Sequence, residues 1–213
     1  MIIAIDGTTA SGKGTLARRL AGLYGLPHLD TGLLYRAVGL AGHWAGLDPD
    51  DEAGLSRLAP LVRPAHFAEA DLRTAEAGQL ASRAAALPGV RRALLALQRD
   101  FAARPGGAVL DGRDIGTVIA PHADVKFWVD ADRPVRAARR LAELNARKAG
   151  TLGLPDMVRE LEVRDARDAG RAEAPMKRAD DAHLLDTTHL SIDEAFQAAR
   201  LIVDQARAEK AKR

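Results

Sequence analysis

The stretch Ile2-Ile3-Ala4-Ile5-Asp6-Gly7-Thr8-Thr9-Ala10-Ser11-Gly12-Lys13-Gly14-Thr15 constrains this chain more than any other. An apolar run over residues 2–6 predicts a buried strand. A glycine-bearing loop follows, and Leu16, Leu20 and Leu23 then recur at helical spacing, which predicts a helix over 14–24. Strand, loop and helix in that order form a phosphate cradle. Gly7 and Gly12 let successive backbone N–H groups turn toward one anion. The positive end of the helix points at the same place. Lys13 adds a mobile charge that can follow a phosphoryl group during transfer. The candidate phosphate contacts are Gly7, Thr8, Thr9, Ala10, Ser11, Gly12, Lys13, Gly14 and Thr15.

Bulk properties narrow the class. A chain of 213 residues is long enough for one sizeable α/β domain with a small inserted lobe. It has no cysteine, so neither disulfides nor thiol chemistry can contribute. Its formal charge is +2, from 31 basic and 29 acidic residues. That balance argues against a nucleic-acid binder, which draws its affinity from a dense basic surface. The basic stretch from Arg207 to Arg213 reads as a solvated helix end. No apolar run is long enough to span a membrane and no secretory leader is visible, so a cytoplasmic protein is expected.

Strands and helices alternate along the rest of the chain. An extended segment is expected at Pro27-His28-Leu29-Asp30, and a helix from about Gly32 to Trp44. A turn with a capped helix start follows over 47–52. From Arg63 to Leu80 alanine and acidic residues blur both periods, which predicts a small irregular lobe. A helix opens at Pro88, and Pro105-Gly106-Gly107 ends it. Strands are expected at Ala108-Val109-Leu110-Asp111, Val125-Lys126-Phe127-Trp128-Val129 and His183-Leu184-Leu185-Asp186-Thr187. Helices are expected from about Pro134, over 155–169, and after Ser191-Ile192-Asp193-Glu194, which has capping-box spacing. This alternation predicts a parallel sheet covered by helices, with ligands at the carboxyl ends of its strands. Asp111 ends one such strand. By itself it reads equally as a magnesium-ordering carboxylate or as a turn residue.

Several further blocks resemble a known family. The ending Gly12-Lys13-Gly14-Thr15 is similar to the loop of nucleoside monophosphate kinases. In that form the hydroxyl comes one residue later than in the usual pattern, so Thr15 is a phosphate contact and its role on the metal is open. The segments Leu29-Asp30-Thr31-Gly32-Leu33-Leu34-Tyr35-Arg36, Ala81-Ser82-Arg83 through Val90-Arg91, Asp111-Gly112-Arg113-Asp114-Ile115-Gly116-Thr117-Val118 and Arg164-Asp165-Ala166-Arg167-Asp168-Ala169-Gly170-Arg171 together resemble the bacterial cytidylate kinases. These blocks occur in the family's order and span residues 2 to about 188. The stretch over 61–80 departs from the family in being shorter and alanine-rich.

The resemblance implies a three-layer P-loop kinase fold. Its sheet has about five parallel strands in the order 2-3-1-4-5, flanked by helices. It also implies a single domain over 1–213, with a core at about 1–45, 88–140 and 172–213. A monophosphate-binding lobe would occupy about 46–87, and a lid containing Gly150 and Gly153 about 141–171. The implied activity is ATP-dependent phosphorylation of CMP and dCMP with magnesium. Apart from the resemblance, a monomer is expected because no exposed apolar stripe announces an interface. The charge balance and short apolar runs predict that it binds neither nucleic acid nor membrane.

Thr31, Tyr35, Arg36, Ser82, Arg91, Gly112, Arg113, Asp114, Arg164, Asp168 and Arg171 are the implied CMP contacts. Arg136 and Arg140 join the phosphate loop in holding ATP, and Arg139 stands beside them. Lys13, Arg113, Arg140 and Arg164 are the implied catalytic cations, and Thr15 and Asp111 the groups near magnesium. Arginine forks suit phosphate oxygens. Hydroxyl, carboxylate and guanidinium groups suit the amine, ring nitrogen and carbonyl of cytosine, and would leave uracil mispaired. Two alternatives keep the fold: another acceptor such as UMP, AMP or shikimate, or a nucleotide-binding regulator without phosphoryl transfer. His28, Trp44 and Trp128 are read as packing residues.

Overall fold

A computed structural model describes residues 1–146 and 152–212. The elements run β1 (Ile2–Gly7), α1 (Lys13–Tyr24), β2 (His28–Asp30), α2 (Thr31–Trp44), α3 (Glu52–Leu58), α4 (Glu69–Leu72), α5 (Ala75–Ala84), α6 (Pro88–Ala102), β3 (Ala108–Gly112), β4 (Val125–Asp130), α7 (Arg133–Ala146), α8 (Leu154–Ala169), β5 (His183–Asp186) and α9 (Ile192–Lys210). A short 3-10 turn covers Pro64–His66 and one π turn covers Ile115–Ile119. The chain divides into two compact units. The first comprises Met1–Asp30, Arg99–Asp132 and Lys177–Arg213; the second comprises Thr31–Gln98 and Arg133–Met176.

The first unit holds the whole sheet. Its strands are parallel, in the order β2-β3-β1-β4-β5, as the sequence reading expects. Ile3 and Ile5 point to one face, where they join Val109, Val125, Phe127, Val129 and Leu185 under Leu16 and Leu20 of α1 and Ala199 and Val203 of α9. Burying each large apolar side chain of this set contributes about 1.5–3 kcal/mol. Ser191 and Glu194 form the capping box that starts α9, accepting from each other's backbone N–H groups. Ala4 and Asp6 alternate to the opposite face, against which the π turn packs.

The second unit is helical. Ala37 and Leu40 of α2 pack on Ala77 and Leu80 of α5 and on Leu72. Ala137 and Leu144 of α7 pack on Met157 and Leu161 of α8. Asp51 caps α3 by accepting from the Gly54 N–H. The segment over 63–80, expected to be irregular, is instead a 3-10 turn followed by α4 and most of α5. Thr74 caps α5 through the Ala77 N–H. Its buried stripe consists of Ala77, Gly78, Leu80, Ala81, Ser82 and Ala84. Small side chains carry this stripe, so the helix period is weak in hydropathy. Trp44, expected in the core or a pocket wall, is 60% exposed and lies against the Phe67 ring. Among the described residues, no helix is long and apolar enough to cross a membrane.

Candidate active site

The phosphate loop has the shape its glycines predict. Gly7 leaves β1 at φ +149°, and a Cβ there would lie 1.9 Å from the Val129 carbonyl oxygen, so no larger residue fits. Ala10 is held at φ 61° and Gly12 at φ 92°, which puts two left-handed turns in the loop just before α1. Gly12 directly precedes α1, and its carbonyl accepts from the Thr15 and Leu16 N–H groups. The loop is braced from within and from the sheet. Ser11 Oγ donates to the Thr8 carbonyl at 3.0 Å, and Lys13 Nζ donates to the same oxygen at 3.2 Å. Thr8 Oγ1 donates to Asp130 Oδ1 at 2.6 Å, and Thr187 Oγ1 to the Ser11 carbonyl at 2.9 Å. Asp130 and Thr187 are therefore loop supports that the sequence reading does not identify. Thr15 Oγ1 accepts from Arg18 at 3.2 Å.

The strand ends beside this loop gather acids. Register pairs Asp30 and Ile5 with Asp111, so Asp111 sits on β3, between β2 and the central strand β1. Its carboxylate is buried. Oδ1 lies 2.7 Å from His28 Nε2, and Oδ2 lies 3.6 Å from the position of a Cβ on Gly14. His28, expected only to pack, is thus a partner of the site carboxylate. Gly112 ends β3. Arg113 reaches back to the loop, donating to Thr9 Oγ1 at 2.8 Å and to the Gly112 carbonyl at 3.1 Å. Asp114 is buried at the start of the π turn.

Asp6 is a further acid that the sequence reading leaves inside a plain strand. Its two oxygens accept from the Ile115 and Gly116 N–H groups at 2.8 and 2.7 Å. Burial pushes its carboxyl up to about 7; the Asp114 charge adds to that shift, while the two backbone hydrogen bonds and Arg113 oppose it.

The second unit collects the remaining candidates. Thr31 is buried at the start of α2. Tyr35 is buried, with the Arg91 guanidinium 5.6 Å from its ring centroid. Arg91 also donates to the Ala85 carbonyl at 3.3 Å. Arg36 donates to the carbonyls of Leu72 and Thr74 at 2.7 and 3.2 Å. Gly78 of α5 makes room for two cations: a Cβ there would lie 3.3 Å from both Arg36 Nη2 and Arg164 Nη1. The two guanidinium groups thus converge over a bare patch of helix, a geometry suited to an anion.

Ser82 is buried, and its Oγ accepts from Arg167 at 3.0 Å. Asp168 is 1% exposed and accepts from Arg171. Gly78 and Arg167 escape the sequence reading, since a helical glycine and one arginine among many carry no local signal. Arg136 and Arg140 are buried on α7 and pair with Asp165 at 2.7 Å and Glu143 at 2.8 Å. Of the segment over 141–171 expected to form a lid, residues 147–151, with Gly150 among them, lie outside the described residues.

Comparison with known proteins decides the family. The cytidylate kinase family model matches residues 3–205. The chain belongs to the cytidylate kinase family. It is 53% identical over 207 residues to a cytidylate kinase of Caulobacter vibrioides, covering 97% of each chain. It is 55% identical over 207 residues to a cytidylate kinase of Azorhizobium caulinodans, covering 97% of this chain and all of that one. Among solved structures, an uncharacterized protein from Eubacterium ventriosum aligns with a TM-score of 0.56 at 13% identity, covering 96% of this chain and 98% of its own. That likeness speaks for the fold alone. Membership in the cytidylate kinase family agrees with the resemblance read from the motif blocks, and it extends over almost the whole chain.

Proposed function

We propose that this protein transfers the γ-phosphoryl group of ATP to CMP and dCMP, giving CDP and dCDP. One observation carries the reading. A braced phosphate loop with Lys13 occurs in a chain that matches the cytidylate kinase family over residues 3–205. The proposed working form is a cytoplasmic monomer with a lid over about 141–171 and a monophosphate-binding lobe over about 46–87.

ATP phosphates lie on the N–H groups of residues 7–15, with Lys13 on the oxygens that gain charge during transfer. Arg136 and Arg140 complete the ATP side. Arg36, Arg113, Arg164 and Arg171 hold the acceptor phosphate, with Thr31 and Tyr35 adding hydroxyl donors. Ser82, Arg91 and Asp114 read the cytosine edge, and Asp168 takes the sugar side. The acceptor phosphate oxygen is already a competent nucleophile, so no covalent intermediate and no strong general base is needed. Catalysis is then positioning plus neutralisation of spread negative charge by Lys13, Arg113, Arg140 and Arg164.

Magnesium fits these residues as a partner of the nucleotide. Among the described residues, no three His, Asp or Glu groups cluster into a metal cage. The buried Asp111 carboxylate stands at the strand end beside the loop. Magnesium is commonly held by one or two carboxylates, phosphate oxygens and water. Asp111 would hold it, partly through water, with Thr15 nearby. When bound it neutralises donor phosphate charge.

The test is ATP-dependent CDP formation from CMP by the purified protein, with product identified by chromatography. Folded protein that yields no CDP would end the proposal.

A further inference from the structure

Asp6 is the only acid in β1, and it faces away from the apolar layer of Ile3 and Ile5. It is 4% exposed. Its two carboxylate oxygens are each used on a separate, consecutive backbone donor: Oδ1 on the Ile115 N–H and Oδ2 on the Gly116 N–H. These N–H groups open the π turn, where no residue within the turn can satisfy them. The turn's other end closes on Asp114, whose carbonyl accepts from Val118 and Ile119.

The residue before Asp114 is tied as well. Arg113 donates to Thr9, three residues beyond Asp6 on the phosphate loop. The segment that carries Arg113 and Asp114 is therefore held at two points by one strand and its loop. It is also seated closely, since a Cβ on Gly116 would lie 3.1 Å from Lys126 Cδ and 3.4 Å from Asp6 Oδ2. A neutral amide cannot replace Asp6 here. Asparagine has one acceptor oxygen, and it would turn its NH2 group toward the second N–H. The loss would be felt first at the turn and then at the two side chains the turn carries.

We propose that Asp6 is a positioning residue for the acceptor contacts: through the N–H groups of Ile115 and Gly116 it sets where Arg113 and Asp114 stand relative to the phosphate loop, without touching substrate itself. The proposal rests on the reading of Arg113 and Asp114 as CMP contacts.

The experiment compares Asp6→Asn, Gly116→Ala and Asp114→Asn with the wild type. Gly116→Ala crowds the same clamp from the other side, so the test survives if Asp6→Asn does not fold. All are assayed well below their melting temperatures, with the folded fraction checked by circular dichroism. The expected result is a rise of tenfold or more in KM for CMP for Asp6→Asn and for Gly116→Ala. The ratio of CMP to UMP turnover should fall toward that of Asp114→Asn, and the calorimetric Kd for ATP should stay within twofold.

A lower melting temperature with unchanged KM and unchanged base selectivity would mean that Asp6 only supports the fold, and would overturn the proposal. If Asp114→Asn loses selectivity while both clamp variants keep it, the role of Asp6 fails and the reading of Asp114 stands. If Asp114→Asn itself changes neither KM nor selectivity, the reading of Asp114 fails and takes the proposal with it.

Discussion

His28 Nε2 lies 2.7 Å from Asp111 Oδ1, although the two residues are 83 positions apart in the chain. The parallel register of β2 on β3 makes the contact, because it brings Asp30 level with Asp111 and His28 two residues behind. The hydrogen bond holds Asp111 Oδ1, and Oδ2 of the same buried carboxylate lies on the side of Gly14. His28 thereby orients the group proposed to receive magnesium.

Removing that partner should therefore loosen the metal more than the nucleotide. His28→Ala should raise the magnesium concentration for half-maximal rate roughly tenfold, as is usual when a carboxylate near a metal loses its partner. Titration calorimetry of manganese into the ATP-bound protein should weaken in parallel, while ATP binding without metal stays unchanged. Equal metal affinities in the two proteins would separate His28 from the magnesium site.

Lys13 is expected to act on charge that develops during transfer. Lys13→Met should lower kcat by about 10²–10³-fold, the range seen when one transition-state donor is removed. Its circular dichroism spectrum should stay that of the wild type. A loss confined to KM for ATP would show a ground-state contact instead.

Gly78 matters for space, since its missing side chain leaves room for Arg36 and Arg164. Gly78→Ala adds a methyl group 3.3 Å from both guanidinium groups. It also improves helix propensity by about 1 kcal/mol. The helix should therefore persist while KM for CMP rises several-fold, with the Kd for ATP unchanged. Steady-state kinetics with CMP varied, paired with ATP calorimetry, separates the two effects. An unchanged KM for CMP would mean that the two arginines do not hold the acceptor.

Asp6 makes a prediction about stability. An unfolded aspartate titrates near 3.8, whereas burial raises the folded carboxyl to about 7. The folded state therefore holds a proton that the unfolded state has released between those values. Stability from this group is full below about 4 and is lost as pH rises toward about 7. Asp6→Asn does not titrate. The melting temperature of the wild type should fall relative to that of Asp6→Asn as pH rises through this window, and the difference should level off above it. Parallel curves would contradict the raised carboxyl.

What could be read in advance depended on how local each signal is. The phosphate loop was legible because its glycines, its lysine and the flanking periods sit within a few residues of one another. Periodicity supported a parallel sheet, but its strand order came from the family resemblance, since order depends on contacts between distant segments. The helix Ala75–Ala84 is hard to see in the sequence because alanines carry much of its buried stripe and register weakly as apolar. Asp6 looked like the polar end of an apolar strand, and only the π turn after Asp114 reveals its partners. His28 reads only as a packing residue in the sequence because its partner lies on a strand, 83 positions away. The exposure of Trp44 is not legible in the sequence, because hydropathy does not say which side of a helix end meets solvent.

The proposed kinase selects cytidine and deoxycytidine monophosphates over other acceptors. Its most direct test is the rate of ADP formation with ATP and magnesium against CMP, dCMP, UMP, AMP, GMP and dTMP, each at equal concentration. Turnover should be rapid with CMP and dCMP and lower by about 10-fold or more with the others, because their base edges leave buried polar groups unpaired. A higher rate with any other acceptor, or no acceptor-dependent ADP at all, would contradict it.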